Sequence, residues 1–275
     1  MSYMEDLQAH YLNQPNEVSL ETLSLCNAAC TFCPYPTLER KGDRMSDELI
    51  SRLIDEMATW RYPFYFSPFK VNEPLLDSRL FDICQRVVER TKGVLRIFTN
   101  GSPLTQKKID EIAALDRVAH LWVSLNSHIP EDYERIMAMP FEKTAKRLDN
   151  LHDQDFPHPV VLSTVGYPNE DFRKYCFDRW PKFESLAIRQ TEWLGYTDSQ
   201  RDSVPDGPCS RWFELSIMSS GVVSLCCMDS GDPRWSIGDL NHQSMLEVYN
   251  SPNWRERRMG LLSRKLFEPC NGCTY

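Results

Sequence analysis

No stretch of the sequence approaches the ~18 apolar residues that a membrane-spanning helix needs. Residues 1–15 hold no basic segment followed by an apolar run, so no secretory signal is expected. Positive charge is not in excess either. The formal net charge is −8, and the phosphate backbone of a nucleic acid would be repelled on average. No internal repeat is visible. These absences point to a soluble, cytoplasmic chain with neither a membrane nor a nucleic acid as partner. Histidine is sparse: there are six, and none lies between His10 and His120. What is present is enough to bury a core. The chain has 275 residues, of which 41% are hydrophobic, 11% aromatic and 25% charged, the balance of one large domain or a domain with an appendage.

Ten cysteines need a reason in a reducing compartment, where clustered cysteines are more often metal ligands or catalytic thiols than disulfides. Three fall together, Cys26, Cys30 and Cys33. Five lie in the last quarter, Cys209, Cys226, Cys227, Cys270 and Cys273. Cys84 and Cys176 stand alone in segments of helical apolar spacing, where a thiol behaves as a small buried hydrophobe.

Apolar periodicity alternates between steps of two and steps of three or four. Strands are predicted over 18–25, 64–69, 94–99, 120–125, 160–165 and 186–190. Helices are predicted between them, the first capped by Ser46 and carrying Leu49, Ile50, Leu53, Ile54 and Met57. Six strands separated by helices imply an α/β fold with a parallel sheet and right-handed crossovers, closing toward a partial barrel. The pattern changes after Trp193. Residues 197–208 are polar with two prolines, which sets a boundary between a first domain, 1–196, and a second, 197–275. In the second, 212–218 and 222–225 flank Ser219-Ser220-Gly221 as a hairpin, followed by a short helical run and Cys270-Asn271-Gly272-Cys273.

Cys26, Cys30 and Cys33 are spaced C-x3-C-x2-C in a loop after a strand. Three thiolates hold three irons of a 4Fe-4S cube and leave the fourth open, and an open position separates a reactive metal site from a structural one. A zinc knuckle is the alternative, but it needs a fourth ligand and no histidine is near in sequence. In the second group, Cys209 and Cys226 bracket the hairpin and Cys270 and Cys273 make a C-x2-C pair. Together they form a four-thiolate site, which on spacing alone a zinc ribbon would also satisfy. Spacing after Gly221 selects Cys226, with Cys227 as the alternative.

The loop Cys26-Asn27-Ala28-Ala29-Cys30-Thr31-Phe32-Cys33-Pro34 resembles the signature of radical S-adenosylmethionine (SAM) enzymes, and the resemblance extends over most of the chain. It implies a partial (β/α)6 TIM-like barrel. It also implies SAM chelated at the open iron, with Phe32 against the adenine. The family's Gly-Gly-Glu-Pro stretch after the second strand is here Val71-Asn72-Glu73-Pro74. The glycines are gone, but Asn72 and Glu73 remain as candidates for the SAM amine, to which a carboxylate is a good acceptor. Ser124 and Asn126, two apart and so on one side of the fourth strand, and Asn100 in an Asn-Gly turn, match positions that contact the ribose or carboxylate. All lie near C-terminal strand ends, where barrels carry ligands. Cys226-Cys227-Met228-Asp229, Ile237-Gly238-Asp239-Leu240 and the final cysteine pair resemble the auxiliary-cluster region called SPASM, or its shortened form, twitch. That resemblance implies a second 4Fe-4S cluster. The sequence stopping two residues after Cys273 points to the shortened form, a hairpin plus helix with one cluster.

The resemblance further implies reductive cleavage of SAM to a 5′-deoxyadenosyl radical that abstracts a substrate hydrogen, with the electron from an external one-electron reductant such as flavodoxin or ferredoxin. The protein supplies position and electrostatics for that chemistry. A four-thiolate cluster has no open iron for substrate, so electron transfer is its task. This favours two-electron oxidation of a small polar substrate, such as a sugar or aminocyclitol in a biosynthetic pathway. The architecture is similar to that of twitch-containing 2-deoxy-scyllo-inosamine dehydrogenases. Arg189 and Asp229 are candidate substrate contacts; an internal ion pair would equally explain the first and a hairpin cap the second. Modification of a ribosomally made peptide, by oxidation, crosslinking or epimerisation, is the main alternative. Against it stands the expectation of no separate leader-binding domain ahead of the first strand. Methylation is a further outcome. A non-catalytic iron–sulfur electron carrier is an alternative of another class, and it would have no use for an open iron.

Overall fold

The computed structural model describes residues 2–166, 170–195 and 203–275. Its first part runs α1 (Tyr3–Tyr11), β1 (Glu17–Leu20), α2 (Asp47–Ala58), β2 (Phe64–Ser67), α3 (Leu80–Arg90), β3 (Gly93–Thr99), α4 (Gln106–Ala113), β4 (Val118–Ser124), α5 (Pro130–Met137), α6 (Phe141–His152), β5 (Val160–Val165), α7 (Glu170–Arg179) and β6 (Glu184–Ile188). The second part adds β7 (Glu214–Ile217), β8 (Val222–Ser224), β9 (Gly238–Asp239), α8 (Met245–Tyr249) and α9 (Pro252–Gly260). The expected boundary between residues 196 and 197 lies outside the described residues.

Local chemistry accounts for the main helices. The Ser46 hydroxyl accepts the Leu49 amide at 3.1 Å, meeting one of the orphan donors at the start of α2. The five apolar residues of α2 are all buried, each stabilising by about 1.5–3 kcal/mol relative to exposure. In β3, burial alternates along the strand. Leu95 and Ile97 are fully buried against the helices, and Arg96 and Phe98 therefore face the opposite, concave side. Both buried cysteines outside the clusters, Cys84 and Cys176, sit in the helix-facing core.

Strands β1 to β6 form a parallel sheet in sequential order, the partial barrel. The hairpin of the second part joins the same sheet. β7 pairs parallel to β1, with Glu17 opposite Glu214 and Leu20 opposite Ile217, and β8 and β9 follow antiparallel. The second cysteine group is thus carried on the barrel's own sheet, beyond its first strand.

Several boundaries differ from the sequence reading, with β2 ending at Ser67 and β4 beginning at Val118 among them, and three differences are of larger consequence. Strand β1 ends at Leu20 because residues 21–25 turn to pair with the returning chain: Ser24 donates to the Asp43 carbonyl, Met45 to the Thr22 carbonyl, and Leu23 bridges Arg44. Strand β6 ends at Ile188, so Arg189 lies one residue past it and is exposed. Helix α1 has no counterpart in the apolar pattern, since Leu7 is its one buried residue. It is fixed by a Ser2–Glu5 capping box and packs on a second hydrophobic cluster with Trp212, Phe213, Leu225 and Trp254. Among the described residues, no helix is long and apolar enough to cross a membrane.

Candidate active site

The bridge between Leu23 and Arg44 closes the base of the loop that carries the first three cysteines. The loop's far side is tied to the end of α5, where Ala29 and Thr31 donate to the carbonyls of Met137 and Ile136. Helix α5 stops there in a left-handed residue, Ala138. Cys26, Cys30 and Cys33 are half-buried free thiols. Burial pushes Cys26 up to about 12, Cys33 up to about 11 and Cys30 higher still; the charges acting on Cys26 and Cys30 are the other thiols and Glu73. Such thiols stay protonated until a metal displaces the proton. Three thiols on one loop, with Cys33 acting on both Cys26 and Cys30, fit three corners of a 4Fe-4S cluster. Phe32 packs on the core beside them.

Glu73 lies next to this loop. Its amide donates to the Leu25 carbonyl at 2.8 Å, which fixes the segment against the first cysteine. It does not end β2, which stops at Ser67 before Pro68; instead it caps a short 3-10 turn, accepting the Leu75 amide. Its carboxylate also accepts Thr99 Oγ1 at 2.8 Å and the Asn100 amide at 2.7 Å. A carboxylate offers about four acceptor positions, so one remains. Burial raises Glu73 to about 7, against the pull of these bonds and of Lys108. Asn72 is buried, and its Nδ2 has no partner among the described residues. An orphaned donor and a spare acceptor, side by side, fit the carboxylate and amine of an amino acid moiety such as that of SAM.

Asn100 bridges the two regions. Its Nδ2 donates to Asn27 Oδ1 at 2.8 Å, and Asn27 Nδ2 donates to Ser102 Oγ at 2.7 Å. The turn needs Gly101: its φ is +79°, and a Cβ there would meet Val123 Cγ1 at 2.9 Å. Ser124, half-buried, closes β4. Asn126 does not share its face by strand alternation, because the strand has ended and Asn126 takes a left-handed backbone, φ +63°. Its Oδ1 accepts the Val165 amide and its carbonyl accepts Thr164 Oγ1, which hold this strained residue in place. Sequence reasoning missed Asn27 and Ser102. Their signal was a polar residue inside the cysteine loop and one just after the Asn-Gly turn.

The second cysteine group closes on itself. Cys209, Cys226, Cys270 and Cys273, from three distant segments, line one cavity together with Arg264 and Met228. Cys227 does not line it; its thiol, pushed up to about 12 by burial, lies instead within reach of the charges of Arg211, Glu214 and Lys70. Burial raises the four cavity thiols, most of all Cys226, and cations oppose it: Arg264 at Cys209, Arg257 and Arg264 at Cys270, Lys70 at Cys226. Four thiols lining one cavity with Arg264 fit a fully ligated cluster. Asp229 is buried, and its carboxylate accepts the amides of Leu225, Gly231 and Asp232, which shapes the loop that carries Cys226 and leaves about one acceptor position. Arg189, exposed beyond β6, does not line the cavity of the second group.

Between the two groups lies the concave face of the sheet. Phe98 stacks on Phe69 with ring centroids 5.2 Å apart and stands 5.7 Å from Trp122. Arg96 bonds Glu17 at 2.8 Å and lies 3.4 Å over the Tyr65 ring. Arg96 Nε and His120 Nε2 are buried without partners, and burial and Arg96 hold His120 below its ordinary pKa, so it is neutral at pH 7.

Comparison with known proteins agrees with this geometry. The description "Radical SAM superfamily" matches residues 20–175, and the iron–sulfur cluster-binding domain SPASM matches 209–274. No curated protein matches the sequence. Among solved structures, BtrN in complex with AdoMet and 2-DOIA is 16% identical over 94% of this chain and 93% of its own, with a TM-score of 0.67. SuiB of Streptococcus suis bound to the precursor peptide SuiA is 13% identical over 98% and 72%, with a TM-score of 0.69. The enzyme anSMEcpe with bound AdoMet and Cp18Cys peptide is 13% identical over 94% and 85%, with a TM-score of 0.65. At such identities the likeness to these structures is one of fold. The matched regions bring their cofactors, 4Fe-4S clusters and SAM. Because the match covers more than half of the residues and the fold agrees along nearly the whole length, the chain belongs to the radical SAM superfamily.

Proposed function

We propose that this radical SAM enzyme carries out a two-electron oxidation of a small polar substrate, a sugar or aminocyclitol, held on the concave face between two clusters. The first cluster is assigned to Cys26, Cys30 and Cys33, and the auxiliary cluster to Cys209, Cys226, Cys270 and Cys273. When bound, the first cluster and SAM supply one-electron cleavage of SAM, driven by an external carrier such as flavodoxin or ferredoxin, and the abstraction of a substrate hydrogen atom. Asn72 Nδ2 and the spare acceptor of Glu73 hold the carboxylate and amine of SAM. Asn100, Ser124 and Asn126 face its ribose side, and Phe32 its adenine.

The observation that carries the reading is the one cavity that all four thiols line. With every iron held by protein, the second site takes an electron and does not bind substrate. A substrate carbinol then loses a hydrogen atom, a proton and an electron to become a carbonyl. Balance requires a base and an electron sink, and the auxiliary site is the sink. The concave face suits a polar ring. Phe98 and Trp122 offer surfaces for its C–H face, Arg96 Nε offers a hydrogen bond to a hydroxyl, and neutral His120, with Nε2 free, can take the proton.

Anaerobic reconstitution with iron counting, followed by assay of 5′-deoxyadenosine with dithionite and SAM, tests the cofactor assignment; about eight irons per chain are expected. With sugars and aminocyclitols deuterated at the carbinol, one SAM consumed per product and deuterium in 5′-deoxyadenosine support oxidation. Unconsumed SAM means isomerisation, and iron without SAM cleavage returns the protein to an electron carrier.

A further inference from the structure

One buried charge belongs to neither site and touches both. Lys70, 2% exposed, follows β2 and Pro68, where the chain leaves the sheet three residues before Glu73. Its amide donates to Asn72 Oδ1 at 2.9 Å, which orders the segment that presents Glu73. Its side chain runs the other way. Nζ donates to Ser216 Oγ at 3.1 Å on β7, to the Cys226 carbonyl at 3.2 Å and to the Asp229 carbonyl at 2.5 Å. Three donors meet three acceptors, two of them carbonyls that only accept, which is the complement of an ammonium group. A buried ammonium is costly unless it is bonded and opposed by negative charge: burial pulls the Lys70 pKa down, and Asp229, Glu21, Cys226 and Cys227 are the groups whose negative charge opposes that.

We infer that Lys70 is a positioning residue that raises the reduction potential of the auxiliary cluster and ties the Cys226–Asp229 loop to the segment bearing Asn72 and Glu73. The inference rests on the assignment of Cys226 and its three partners to that cluster. A cluster gains negative charge on reduction, so a fixed cation beside a ligand's main chain stabilises the reduced form; net charge and hydrogen bonding are established controls of such potentials. Lys70 therefore makes the auxiliary site a better acceptor for the substrate's electron. The first cluster, whose thiols face one another and Glu73, does not feel it comparably.

The test is anaerobic redox titration of the reconstituted, full-length protein, following the two reduced-cluster signals separately by EPR. Lys70→Gln removes the charge while keeping amide donors for the carbonyls, and it carries the test where Lys70→Met fails to fold. Each neutral variant is expected to lower the auxiliary potential by a tenfold or larger change in the one-electron equilibrium, about 59 mV, with the first cluster unmoved. Lys70→Arg is expected to stay near wild type. A merely structural role would lower stability without moving the potential. An auxiliary potential unchanged in the neutral variant, or a shift equal in both clusters, overturns the inference. A wild-type protein with only about four irons overturns the cluster assignment and the inference together.

Discussion

The two cysteine groups solve opposite problems. The first uses three thiols within eight residues of one loop, half-buried, where the leading charges on Cys26 and Cys30 are the other thiols and the Glu73 carboxylate. The second gathers four thiols from three segments into a cavity where Arg257, Arg264 and Lys70 act on them. A site that awaits a cosubstrate with a sulfonium and an ammonium is best left without positive charge of its own, because the ligand brings it. A site that holds a cluster permanently and accepts an electron needs its cations built in. On the proposed reading, the difference separates a reactive site from an electron-accepting one.

The comparison breaks most severely through the cysteines. Cys30→Ala is expected to abolish SAM cleavage and lower iron from about eight to about four per chain, since the loop has no spare thiol. Cys270→Ala is expected to lose a similar amount of iron yet keep SAM cleavage, with product lost because the electron has no sink. Cys227→Ala, outside the cavity, is expected to leave the iron count unchanged. If Cys227→Ala and not Cys226→Ala loses the auxiliary iron, the two adjacent cysteines have been assigned the wrong way round.

A smaller effect separates the sites by pH. Bound ammonium favours ionised Glu73, whose carboxyl sits near 7 when SAM is absent, so binding releases its proton. SAM affinity is therefore expected to fall about tenfold per pH unit below about 7, as measured by equilibrium binding to the reconstituted protein. Glu73→Gln is expected to weaken SAM by about 1.5–3 kcal/mol and to flatten that dependence. A steep dependence surviving in Glu73→Gln would place the titrating group elsewhere. The auxiliary cluster's iron content should not vary over the same range.

Asp229→Asn acts only on the second site and by the smallest amount. It leaves one of the Leu225, Gly231 or Asp232 amides facing a donor, costing about 1–3 kcal/mol in denaturant unfolding of the apoprotein, with SAM cleavage intact. Unchanged stability would mean that the loop around Cys226 is held by other contacts, Lys70 foremost.

What the sequence disclosed follows from how local each feature is. Cys26, Cys30 and Cys33 share one loop, and the helices of the barrel announce themselves by apolar steps, so both were legible. The choice of Cys226 rested on its spacing from Gly221, and it is Cys226 that lines the cavity. The pairing of β7 with β1 joins residues about 200 apart and leaves no periodicity to read. Helix α1 has too few apolar residues to declare a face, and its reason to exist is Trp212 and Trp254 at the far end of the chain. Lys70 read as a charge after an aromatic strand; nothing local revealed that its partners were Ser216, Cys226 and Asp229. Asp229 read as a candidate substrate contact or a hairpin cap, and the three amides that bond its oxygens are invisible without the turn.

The account stands on an open first cluster beside a closed second one, and SAM binding to the reduced, reconstituted protein tests this directly. EPR before and after addition of SAM is expected to show two cluster signals, of which only the one lost in Cys30→Ala shifts. A signal that shifts in Cys30→Ala but not in Cys270→Ala would contradict it, as would two signals that both ignore SAM.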